Sequence, residues 1–269
     1  MEIASPPSSS NEVPRRMKLL ILGGTSEAVQ LGRALADDPR FAAMVSLAGR
    51  TRNPAPQPLP CRIGGFGGAE GLARHLAAER VDALIDATHP FAAQISRHAE
   101  LASNSSGVPL LSLQRPEWQP ATGDHWIPVA DMSEAAKALG KTPRRVLLTI
   151  GQKDLFPFAA APWHRYVIRS VDPPPPERVP PNAEIITARG PFREEDERRL
   201  LAEREIEILV AKNSGGSATV AKLHAARVLR VPVVMVARPP AITGDRVANV
   251  EEVLTWLALR HEALSRRGV

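Results

Sequence analysis

The chain has 269 residues, enough for two hydrophobic cores of ordinary size, and its 43% hydrophobic and 23% charged content is that of a globular protein. A single cysteine, Cys61, excludes an internal disulfide framework and a cysteine zinc cluster, which points to a reducing, cytoplasmic compartment; no apolar run approaches the ~20 residues of a membrane helix. The net charge of +5 calls for an anionic partner, but 4% aromatic residues and scattered Lys and Arg argue against nucleic acid and for a basic pocket holding a small polyanion.

Residues 1–16 are rich in Ser and Pro and read as a disordered tail, with Met17 as a second candidate start because the fold pattern begins there. Residues 17–22 are an apolar run of strand length. They break into Gly23-Gly24-Thr25-Ser26-Glu27-Ala28, and Ala28, Leu31 and Leu35 then follow at helical spacing. A strand, a glycine turn and a helix start make an anion site, because the free N–H groups of the first turn and the helix dipole both favour negative charge. The dinucleotide fingerprint wants glycine at its first, third and sixth places; here they hold Gly23, Thr25 and Ala28, so the middle one departs. A tight turn without ligand is the alternative.

A second strand over 44–48 ends in Gly49-Arg50-Thr51-Arg52, where an NAD site usually carries Asp or Glu for the ribose hydroxyls. Arg50 would instead pair with a 2′-phosphate, which favours NADP over NAD. A proline-rich loop leads to a short strand over 61–63. Gly64-Gly65-Phe66-Gly67-Gly68 then opens a helix, and its backbone is bare enough to approach a ligand closely. Residues 81–85 form the next strand, ending in Asp86-Ala87-Thr88-His89-Pro90-Phe91 at the edge where ligands of open α/β sheets gather. A helix over 92–103 and a strand over 108–113 complete a Rossmann-like unit.

Residues 114–123 interrupt the rhythm and mark a boundary between a first domain, 17–122, and a second, 123–269. The second domain has a short helix capped by Ser133 and strands over 145–150 and 166–170. An extended, exposed segment over 172–181 holds six prolines. A strand over 184–187, a charged helix over 193–203 and a strand over 206–211 follow. Lys212-Asn213-Ser214-Gly215-Gly216 opens a helix to about Leu229, with a last strand over 231–237 and a last helix over 250–260. The architecture expected is α/β, two Rossmann-like domains with mostly parallel sheets and a cleft between them.

The 212–216 stretch lacks the GxxxxGK[ST] of a phosphate loop; Asn213 or Ser214 caps a helix there, or the stretch holds a carboxylate. Thr149, Gly151, Arg189 and Gly190 stand at comparable strand ends, and Lys222 is a further cation of that crevice unless it merely faces solvent. No GxSxG elbow, HExxH or paired His/Cys set is present, so no metal is expected.

GGTSEA, LAGR, RIGGFGG, DATHPFA, the Arg189-Gly190-Pro191 step, AKNSGG and VVMVARP occur in order and spacing that resemble the precorrin-6A reductase family, from residue 17 to about 256. The resemblance implies NADPH-dependent reduction of one carbon–carbon double bond of precorrin-6A in cobalamin synthesis. The tetrapyrrole polycarboxylate would lie between the two domains, and the protein would be a monomer or weak homo-oligomer. It also implies that Gly23, Gly24, Thr25, Ser26, Glu27 and Arg50 hold the dinucleotide, with Gly65, Phe66, Gly67, Gly68, Thr88, His89 and Pro90 nearby. Lys212 to Gly216 would face the carboxylates. His89, Asp86 or a bound water would deliver the proton that accompanies hydride. The cobalt-containing substrate and a non-catalytic NADPH sensor are the competing expectations.

Overall fold

The structure is a computed structural model that describes residues 15–49 and 54–267. The first half alternates strand and helix: β1 (Met17–Leu22), α1 (Ser26–Leu35), β2 (Phe41–Leu47), β3 (Cys61–Ile63), α2 (Gly68–Ala78), β4 (Ala83–Asp86), α3 (Ala93–Ser106) and β5 (Leu110–Leu113). The second half holds β6 (Trp126–Val129), α4 (Met132–Ala138), β7 (Arg145–Leu148), β8 (Arg165–Ser170), β9 (Ala183–Thr187), α5 (Glu194–Glu203) and β10 (Ile208–Lys212). It closes with α6 (Ala221–Val228), β11 (Val233–Val236), β12 (Asp245–Val247) and α7 (Val250–Arg267).

These strands form two six-stranded sheets, ordered β12-β5-β4-β1-β2-β3 and β6-β11-β10-β7-β8-β9, in which every pairing is parallel. Helices cover both faces of each sheet. The central strands therefore bury both of their faces and read as continuous apolar runs, as residues 83–85 and Val233–Val236 do. On α1 the helical spacing buries Ala28, Leu31 and Leu35, and Thr25 caps the helix by accepting from the Ala28 amide at 3.1 Å.

The second domain does not run to the end of the chain. β12 leaves it and pairs with β5, Asp245 opposite Leu111, and α7 packs Val253 and Leu257 into the core of the first sheet. Conversely β6, which follows β5 in sequence, lies at the edge of the second sheet beside β11. The two halves are thus crossed by two chain segments, 114–125 and 237–244. β12, three residues long and polar, and β6, four residues broken by Pro128, are edge strands that do not register as strands in sequence.

Three local expectations also shift. α4 is capped by Asp131, whose carboxylate accepts from the Glu134 amide at 2.9 Å, rather than by Ser133. Within the proline segment Pro174 and Pro180 are buried and Pro176–Arg178 forms a 3₁₀ turn. α6 starts at Ala221, well past residue 216. Among the described residues no helix is long and apolar enough to cross a membrane.

Candidate active site

Parallel sheets bring all their strand C-termini to one edge. In the first sheet that edge gathers the turn after β1, the glycine run after β3 and the turn after β4, with β1 between β2 and β4. Thr25 ties two of these turns together, since its hydroxyl donates to the Ala87 carbonyl at 2.8 Å. Asp86 shapes its own turn: one carboxylate oxygen accepts from the Thr88 amide at 3.1 Å and the Thr88 hydroxyl at 2.7 Å. Beside it a cavity of about 40 Å³, lined by Asp86, Thr88, His89, Ser112 and the crossing segment at Pro239, has room for a water or two.

The glycine run leaves its backbone bare. A Cβ on Gly64, Gly65, Gly67 or Gly68 would meet nothing within 4 Å, and Gly67 and Gly68 hold φ of +77° and +91°. Arg62 organises this run by donating to the Ser46 hydroxyl at 2.8 Å and to the carbonyls of Gly64 and Gly65 at 3.1 Å each. Its guanidinium lies 4.0 Å from the Phe66 ring centroid. Phe66 thus serves as a platform for Arg62. Open backbone at helix starts, with an arginine at the end of the neighbouring strand, fits a phosphate-bearing dinucleotide.

In the second sheet the same edge gathers Thr149 and Gly151 after β7, Arg169 and Ser170 at the end of β8, Arg189 and Gly190 after β9, and Lys212 to Gly216 after β10. Thr149 turns its hydroxyl to the Val210 carbonyl at 3.0 Å, and Lys212 pairs with Asp154. Arg169 is buried, forms an ion pair with Glu197 and stacks 4.0 Å from the Phe192 ring. The second carboxylate oxygen of Glu197 is buried without a partner among the described residues.

The loop after Lys212 is held by both crossing segments. Arg115 donates from Nε to the carbonyls of Ser214 and Gly215 at 2.8 and 2.9 Å, and Arg238 donates to the carbonyl of Asn213 at 2.8 Å. The Asn213 side chain accepts from the Trp118 amide at 2.9 Å, and the Trp118 indole donates to Gly216 at 2.9 Å. The two glycines are required by this packing. A Cβ on Gly215 would overlap the Pro116 carbonyl, and one on Gly216 would sit 2.6 Å from Arg115 Cδ; both residues have positive φ. Asn213 and Ser214 are buried by the crossing segments and neither caps a helix, because two left-handed residues separate them from α6.

The two edges face each other. Arg115 Nη1 pairs with Glu27, in the first turn of α1, at 2.6 Å, while its Nε holds the loop of the other domain. Phe91, from the turn after β4, packs against the second core and lies 5.2 Å under the Lys212 ammonium. His89 sits between. Burial, and then the cations Arg115, Lys212, Lys222 and Arg238, push its pKa down to about 3. It accepts the Phe91 amide at Nδ1, 3.2 Å, which leaves its proton on Nε2. His89 is therefore a neutral hydrogen-bond donor at physiological pH, not an imidazolium.

Lys222 is the reverse case. It is buried in the first turn of α6, its ammonium 5.2 Å from the Trp118 ring, with no carboxylate at ion-pair distance among the described residues. Burial and then Arg169 lower its pKa to about 7, although Glu197 opposes the change. A buried lysine near a helix N-terminus is unfavourable on two counts, the lost solvation of its charge and the helix dipole, which marks it as a residue kept for something other than stability.

The structure thus brings Gly23, Gly24, Thr25, Ser26, Glu27, Gly65, Phe66, Gly67, Gly68, Asp86, Thr88, His89 and Pro90 to one edge. It brings Thr149, Gly151, Arg189, Gly190, the 212–216 loop and Lys222 to the other. Arg50 lies outside the described residues. Sequence reasoning missed Arg62, Arg115, Trp118, Arg169, Glu197 and Arg238. Arg115 and Trp118 lie in the stretch that marks the domain boundary, where a Trp and an Arg among prolines are a visible sign of packing. Among the described residues no group of three or more His, Cys, Asp or Glu is placed to hold a metal.

Two parallel sheets with facing C-terminal edges, one glycine-lined and one cationic, define a two-domain Rossmann-like α/β enzyme. The family described as precorrin-6x reductase CbiJ/CobK matches residues 18–258, and the chain belongs to that family. It is 51% identical to a precorrin-6A reductase of Sinorhizobium sp. over 93% of this chain and 97% of that one, and 48% identical to that of Rhodococcus erythropolis over 89% and 97%. A cobalt-precorrin-6A reductase of Priestia megaterium is 29% identical over 88% and 96%. A solved structure titled CobK precorrin-6A reductase superposes with a TM-score of 0.86 at 47% identity, covering 91% of this chain and 97% of that one.

Proposed function

We propose that this chain reduces one carbon–carbon double bond of precorrin-6A to give precorrin-6B, with NADPH as the reductant. The observation that carries the reading is the meeting of the two edges through Glu27, Arg115 and the 214–215 carbonyls. The metal-free substrate is favoured over the cobalt form because the identities are 51% and 48% to relatives named for the former and 29% and 30% to relatives named for the latter.

NADPH, when bound, supplies the hydride, and the protein positions, desolvates and protonates. Gly23 to Ser26 and the start of α1 offer amides to the diphosphate, with Glu27 neutralised by Arg115 so that its charge does not oppose it. Gly65 to Gly68 admit the dinucleotide close to the backbone, and Arg50 and Arg62 pair with the 2′-phosphate. Thr88 to Pro90 border the nicotinamide end, where His89 offers its Nε2–H. On the other edge Arg189 and Lys212 meet the carboxylates of the macrocycle, with Thr149, Gly151, Gly190 and residues 213–216 shaping the floor. Of the titratable groups of this cleft, Lys222 holds its proton loosely enough to release it near neutral pH, and it is the donor that this reading prefers over Asp86 and His89.

The test is an anaerobic assay with precorrin-6A and either NADPH or NADH. NADPH should be consumed with formation of the dihydro product and NADH should not. Arg62→Ala should raise the KM for NADPH with little effect on kcat. Equal use of both nucleotides by the unaltered protein would refute the 2′-phosphate assignment.

A further inference from the structure

Arg115 belongs to a crossing segment, not to either sheet edge, yet it touches both. Its Nη1 is 2.6 Å from Glu27 at the head of α1, and its Nε reaches Ser214 and Gly215 carbonyls at 2.8 and 2.9 Å. Its remaining terminal nitrogen, Nη2, has no partner among the described residues. The side chain is mostly buried, 14% exposed, so its guanidinium cannot swing away freely. Its backbone is held too, because Arg238 from the other crossing segment donates to the Arg115 carbonyl at 2.9 Å and to the Asn213 carbonyl at 2.8 Å. The absence of a Cβ on Gly216 is what lets the Arg115 side chain lie against the loop.

We propose that Arg115 is a positioning residue that couples the two ligand sites, so that a dinucleotide phosphate at the head of α1 and a polycarboxylate over the 212–216 loop each strengthen the binding of the other. The inference rests on the reductase reading and adds the link between its two sites. A phosphate arriving at the start of α1 finds a guanidinium donor, Nη2, already fixed beside Glu27. That donor is in place only while Nε holds the 214–215 carbonyls, which is also the arrangement that fixes the loop after Lys212 for the second ligand. Each ligand therefore favours the same arrangement of the crossing segment, and by linkage the enhancement is reciprocal. Glu27 acts as the pin: its carboxylate keeps the guanidinium from rotating toward solvent.

The experiment uses the full chain and NADP⁺, which cannot reduce the substrate, so binding is read without turnover. The NADP⁺ dissociation constant is measured without and with saturating precorrin-6A, for the unaltered protein, Arg115→Ala and Glu27→Gln, each checked by circular dichroism. The unaltered protein should bind NADP⁺ at least about fivefold more tightly when precorrin-6A is present. In Arg115→Ala the two constants should converge, and in Glu27→Gln the factor should fall, since the pin has lost its charge while the loop contacts of Arg115 remain. Glu27→Gln keeps the test alive if Arg115→Ala does not fold. An unaltered protein that binds both ligands independently, or variants that retain its full factor, would overturn the link. An unaltered protein that binds neither ligand would refute the reductase reading itself, and the link with it.

Discussion

His89 makes a pH prediction whose size follows from its surroundings. Its imidazole is held neutral by burial and by four cations, with a folded-state pKa of about 3 against an ordinary 6.5. As pH falls through 6.5 the unfolded chain takes up a proton there, and the folded chain does not until about 3. Between those values the unfolded state binds more protons, so stability falls as pH falls. One proton corresponds to about 1.4 kcal/mol per pH unit, so acidifying from neutrality to about pH 4.5 should cost roughly 2–3 kcal/mol through this residue. Carboxylates elsewhere also titrate, so the comparison must be with His89→Gln, which can still accept the Phe91 amide. Urea unfolding at the two pH values should show that the variant loses about 2–3 kcal/mol less than the unaltered protein over that range. Identical losses would mean that His89 protonates normally in the fold, and the argument for a neutral Nε2–H donor would fail.

Other outcomes follow from the same geometry. Gly215→Ala places a Cβ on the Pro116 carbonyl at a residue with φ of +66°, and should destabilise by about 2 kcal/mol or more; unchanged urea unfolding would refute the packing role of that glycine. Arg169→Met leaves Glu197 buried without its partner and should cost about 3–5 kcal/mol, whereas Arg169→Met combined with Glu197→Leu should recover most of it. Lys222→Met should abolish reductase turnover yet be more stable than the unaltered protein near neutral pH by about 1 kcal/mol or more. That advantage should shrink as pH rises from about 7 toward 10.5, because the unfolded chain alone holds the extra proton in that window; a constant difference would contradict the lowered Lys222 pKa.

Much of the architecture was legible because parallel strands buried on both faces leave continuous apolar runs, and because the turns after β1, β3 and β4 carry glycine or capping residues. The facing of the two edges was not legible. It depends on Arg115 meeting Glu27 across 88 residues and on Arg238 meeting Arg115 across 123, contacts with no local pattern. The exchange of β6 and β12 was hidden for a similar reason: short edge strands, one polar and one broken by a proline, are defined by their partners. The AKNSGG stretch illustrates how one pattern supports two explanations. It reads as a helix cap or a carboxylate site, and in the fold its glycines make space for Pro116 and Arg115. The charge balance pointed to a basic pocket, yet it could not separate cations already paired, such as Arg169, from one without a carboxylate partner, such as Lys222.

The central claim is that a nucleotide on the first edge hands its hydride to a macrocycle held by the second. The most direct measurement supplies NADPH deuterated at the transferable hydrogen, together with precorrin-6A, and follows the label by mass spectrometry and NMR. The account predicts one deuterium on a ring carbon of the dihydro product for each NADPH oxidised. A product without label, or NADPH consumption that leaves the tetrapyrrole unchanged, would contradict it.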